Sequence, residues 1–96
     1  MEKIKNILKT TLLENGIEKQ SIIAMEELSE LQKAISKAAR GKLDKENMAE
    51  EIADVYIIIM QMEMFYNISV DDVEKWLTVK IDRLENDLKA RGVQIK

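Results

Sequence analysis

The stretch "MAEEIADVYIIIMQMEMFY", residues 48–66, decides how this chain folds. Its latter half, Val55, Tyr56, Ile57, Ile58, Ile59, Met60, Met62, Met64, Phe65 and Tyr66, is apolar on nearly every side. The run is too long for a strand and reads as a helix. A surface helix carries one apolar stripe, whereas a helix that is apolar all round is covered all round. Yet this one opens with Glu50, Glu51 and Asp54, and upstream the run "MEELSELQK" at 25–33 holds Glu26, Glu27 and Glu30. Carboxylates placed in the two most apolar helices need a physical reason.

Outward from that stretch the pattern stays helical. No proline occurs, and Gly16, Gly41 and Gly92 stand where helices should stop. A first helix is expected over about 2–14, with Ile4, Ile7, Leu8 and Leu12 inward and "NG" at 15–16 closing it. A second follows over about 17–39, then the loop "GKLDKEN", then the third over about 45–66. Ser69 is placed to cap the fourth, with Asp72 at the capping-box position, and that helix runs to about 90. The expectation is all-α: one domain over 1–96, built as a four-helix antiparallel bundle. Three companions could hardly cover the third helix, so a homodimer or homotetramer centred on it is expected.

Composition removes many functions. Apolar residues make up 46% and charged residues 34% of the 96. The net charge of −3, without a basic block, argues against a nucleic-acid polymer as partner. "VYIIIMQMEMFY" is interrupted by Gln61 and Glu63 and is too short to span a bilayer. The charged N-terminal "MEKIKNILKT" does not read as a secretory signal, and six methionines without a cysteine fit a cytoplasmic protein. The absence of cysteine and histidine excludes zinc sites built on sulfur or imidazole, Ser–His–Asp and Cys–His nucleophiles, and di-iron bundles. Chemistry is left to carboxylates, lysines, arginines and hydroxyls.

Helical geometry then locates the acids. At roughly 100° per residue, Glu27 falls between Ile23 and Leu31, inside the apolar arc of the second helix, with Glu30 on its edge and Glu26 further out. On the third helix Glu51 is bracketed by Val55, Ile58 and Met62, while Asp54 lies near Ile58 and Phe65. Each helix thus offers an i, i+3 acidic pair on faces that should meet. A solvated face or ion pairs with Lys33, Lys37 or Arg40 would be ordinary alternatives, but these acids follow the apolar stripe. Converging carboxylates repel and resist leaving water, so a compensating cation is expected. Oxygen-only ligands suit Mg²⁺, which keeps several waters and shares its shell with phosphates; Mn²⁺ is an acceptable substitute.

"EELSE" at 26–30 followed by "EIAD" at 51–54 resembles the E-E-x-x-E … E-x-x-D signature of the MazG-like, all-α nucleoside triphosphate pyrophosphohydrolases. The resemblance spans nearly the whole chain. It implies Mg²⁺ ligation by Glu27, Glu30, Glu51 and Asp54, with Glu26 as an outer partner or water-orienting group. It also implies a nucleotide substrate cut between the α and β phosphates, and dimers or tetramers. Diphosphate or modified nucleotides as substrates, and a non-catalytic helical adaptor, are the alternatives. Lys80 and Arg83 lie on one flank of the fourth helix, either as triphosphate contacts or as ordinary exposed bases. Lys37, Arg40 and Lys42 offer a second basic group, and Trp76 is core, interface or stacking platform. Gln20, on the Glu27 face, and Asn47, on the Asp54 face, either read a base edge or make structural hydrogen bonds.

Overall fold

Two of the expected helix starts form as the sequence asks. In a computed structural model describing residues 1–96, Asp44 accepts a hydrogen bond from the Asn47 backbone N–H at 3.1 Å, and Ser69 Oγ accepts one from Asp72 N–H at 3.0 Å. Each satisfies a donor that the first helical turn would leave unpaired. They open α2 (Lys45–Phe65) and α3 (Val70–Ala90), which follow α1 (Glu2–Ala39). The chain is all-α, as expected.

The helix ends are also legible. Gly41, at φ 80°, follows α1, and Lys42 N–H donates to the Lys37 carbonyl at 2.9 Å. After α2 the same left-handed position is taken by Asn67 (φ 54°), and Ile68 N–H donates to the Glu63 carbonyl at 2.9 Å. Both are reversals that satisfy the last carbonyls of a helix; asparagine is the residue besides glycine that most readily takes this conformation.

α1 and α2 pack antiparallel, joined by the short Arg40–Asp44 connection. Leu8, Leu12, Ala24 and Ala34 from α1 and Val55 and Ile58 from α2 are the buried apolar residues. Ile4 and Ile7, expected inward, are about half exposed instead.

The four-helix bundle expected from the sequence is not what one chain forms; what it lacks is the packing of all its helices into a bundle. The first two expected helices run on from one another as α1 but are parted by a kink at Gly16, where φ 78° and ψ 165° are not helical, so the stop expected at 15–16 is present. That conformation is essentially reserved for glycine. A Cβ there would meet nothing within 4 Å, so any penalty is purely one of backbone strain. Gly16→Ala is expected to cost about 1–3 kcal/mol, read as a lower urea midpoint with unchanged helical circular dichroism. An unaltered midpoint would mean that the bend is not required.

The missing packing is that of α3, which buries none of its residues. The outward side of α2, including Tyr56, Ile57, Ile59 and Met60, is likewise open. The radius of gyration is 16.9 Å, against about 12.5 Å for a compact chain of this length. No helix is long and apolar enough to cross a membrane.

Candidate metal centre

The site forms where the α1–α2 seam carries acids from both sides. Glu27 projects from α1, and Glu51 and Asp54 project one turn apart from α2, all three half-buried. One carboxylate oxygen from each lies within 4.8 Å of the other two. Oxygens on opposite sides of an octahedral Mg²⁺ with 2.1 Å bonds stand about 4.2 Å apart, so small side-chain rotations bring the three into ligating range.

The electrostatics are unbalanced. The ion pairs of the chain are Lys89 with Glu85 and Arg91 with Asp87, all at the end of α3, and none reaches the acids. The alternative ion pairs with Lys33, Lys37 or Arg40 are not made. Glu51 Oε2 is closed off from solvent and has no hydrogen-bond partner. A buried acceptor left unsatisfied is rare and costly, and a hard cation is a partner that an anionic oxygen would accept there. The three carboxylates are a donor set that could hold a hard divalent cation.

Proton affinity reports the same strain. Burial raises the Glu27 carboxyl above its ordinary value of 4.5; a hydrogen bond with Asp54 and the charges of Asp54, Glu51 and Glu30 add to the rise. Glu51 is raised too, first by burial and then by Asp54, Glu30 and Glu50. The charges that act on the two are all negative, so the protonated forms gain.

Of the other sequence candidates, Glu30 is exposed and contributes its charge to the cluster without joining the close triad. Glu26 is exposed beside it, and a shallow depression lined by Ile22, Met25, Glu26, Glu27, Ser29 and Glu30 opens next to the acids. Asn47 is half-buried in the first turn of α2, two turns before Asp54. Lys80 and Arg83 are exposed on α3, which packs along neither acid-bearing helix.

Gln20 is 1% exposed. Its Oε1 accepts from Asn15 Nδ2 at 2.9 Å, and its Nε2 donates to Gln61 Oε1 at 2.9 Å. Gln61 was not among the sequence candidates, although a signal was present. Gln20 precedes Glu27 by seven residues and Gln61 follows Asp54 by seven. In antiparallel helices those offsets put the amide pair in the same register as the acid pair, two turns along the seam. The amide pair and the acid pair thus share one register of α1 against α2.

The chain matches no protein-family model, no curated protein and no solved structure.

Proposed function

We propose that the chain is a Mg²⁺-dependent nucleotide pyrophosphohydrolase of the MazG-like kind, acting as a homodimer or homotetramer. The observation that carries this reading is the convergence of Glu27, Glu51 and Asp54 around an unpartnered, enclosed Glu51 oxygen. The E-E-x-x-E … E-x-x-D resemblance supplies the substrate class.

A bound Mg²⁺ supplies charge neutralisation at the phosphates and a water of lowered pKa. The chain's own residues do the rest. Glu27, Glu51 and Asp54 would hold the cation, with Glu30 as a fourth carboxylate able to close on it. Glu26, beside the depression, orients a water for attack on the α-phosphorus, and a neighbouring carboxylate takes the proton because no histidine exists to do so. Lys80 and Arg83 are proposed triphosphate contacts, and Asn47 remains a proposed base contact. Gln20, with both ends of its amide engaged, is assigned the structural side of its two readings.

The test is release of pyrophosphate across a panel of nucleoside and deoxynucleoside triphosphates with Mg²⁺ or with EDTA. Release from at least one substrate, abolished by EDTA, is the expected result. The broad apolar exposure favours the adaptor as a second reading. An adaptor would release nothing and show no rise in melting temperature with Mg²⁺, whereas a carboxylate cage gains stability by mass action.

A further inference from the structure

We propose that α3 is an exchanged arm: its apolar stripe lies on the outer face of α2 in a second copy of this chain, which returns its own α3 in the same way. This rests on the self-association part of the reading above and not on the catalytic part.

Surface area sets the scale. The chain exposes 7982 Å², whereas a compact monomer of 11.1 kDa exposes about 5,700 Å². The excess of about 2,300 Å² per chain, taken over two chains, falls within the range buried by obligate homodimers.

Part of that excess lies on α1, at Leu13, Ile17, Met25, Leu28 and Ile35; the remainder lies on two faces that suit one another. On α3, Val73, Leu77, Ile81 and Leu84 recur at helical spacing along one side, and each is 39–60% exposed. On α2, the side turned away from α1 presents Ile52, Tyr56 and Ile59, each 37–64% exposed. Both helices have 21 residues, so their lengths match. A contact of α3 with α3 would leave the α2 face open, and a contact of α2 with α2 would leave α3 open. Exchange covers both faces, and a two-fold axis repeats the contact.

The connection explains why the arm leaves its own subunit. Only Tyr66–Ser69 separate α2 from α3, and within them the left-handed Asn67 and the Ile68-to-Glu63 hydrogen bond fix the exit direction. A short, fixed hinge beside an unsatisfied apolar helix is the circumstance in which copies exchange an element.

Sedimentation equilibrium of the full chain tests the proposal, together with a spin label made simple by the absence of native cysteine. The expected mass is twice the 11.1 kDa of one chain, or four times if pairs associate further. Leu77→Glu with Ile81→Glu on α3, and separately Tyr56→Glu with Ile59→Glu on α2, should each reduce it to the single-chain mass. In a mixture of isotope-labelled wild type with unlabelled Thr78→Cys carrying a nitroxide, the α2 amides of the labelled copy should broaden. That readout needs no disruptive substitution. A wild-type chain of single mass would overturn self-association and the arm together. A dimer that survives the α3 changes, or broadening confined to α3 amides, would overturn the exchange and leave self-association standing.

Discussion

Glu51→Gln is expected to end pyrophosphate release while making the metal-free chain more stable at neutral pH. Loss of turnover should be at least about 100-fold, because a group that would ligate the cation matters no less than the outer partners of a metal site, whose loss costs about 10–100-fold. The rise in stability follows from the sign of the Glu51 shift. Its carboxyl is raised above 4.5 in the folded chain, so its contribution is fully present below that value and is lost as pH rises through the elevated one. Near neutrality the wild-type folded state holds a carboxylate it would favour protonated. Glutamine removes that charge. The melting temperature of the variant should therefore exceed wild type at pH 7 without metal, and the gap should narrow on acidification below the ordinary carboxylate range.

Mg²⁺ should reverse that order. A site at a hundred times its dissociation constant gains about 2.7 kcal/mol, and only a chain retaining the cage collects it. A stabilised variant that still responds to Mg²⁺ as wild type does would remove Glu51 from the ligand set. A variant less stable than wild type at pH 7 without metal would show that Glu51 Oε2 has a structural partner after all.

The second large effect is expected along the same seam. Gln20→Leu leaves a nearly fully buried Gln61 amide without its donor, at a cost of about 1–3 kcal/mol. Gln61→Leu should do the same to Gln20. With both replaced, two apolar side chains face each other and much of the penalty disappears, because the only amide left without its partner is that of half-buried Asn15. Urea unfolding of the two single variants and the double variant measures this directly. The catalytic reading adds a consequence: the double variant, though well folded, has lost a hydrogen bond in the register shared with Glu27 and Asp54, and its Mg²⁺ response should weaken. Additive losses in the cycle would mean that the two amides act independently.

The residues that revealed themselves in sequence were those governed by local rules. Ser69 and Gly41 mark helix boundaries through chemistry within four or five residues, and the helical period alone sufficed to put Glu27, Glu51 and Asp54 toward a common seam. Exposed Glu30 shows the limit of that period: an angle on a wheel says which side a residue takes, not how closely a neighbouring helix approaches it. Gly16 could be read as a helix stop, and its dihedrals do break the helix there; the angle at which the next helical segment sets off was not legible, since the same dihedral freedom serves many exit directions. The apolar stripe of α3 is plain in the sequence. What covers it is not, because amphipathicity states that a face wants burial and is silent on whether its own chain or another supplies it.

The brief Arg40–Asp44 connection has a bearing on tempo. Helices joined by so few residues find each other through near-neighbour encounters, a topology that folds on microsecond to millisecond timescales. Encounters between separate molecules slow as the solution is diluted. If the arm is exchanged as proposed, a newly made chain would complete its hairpin first and then wait with sticky surfaces bare, so that scarcity itself would be a hazard to its survival.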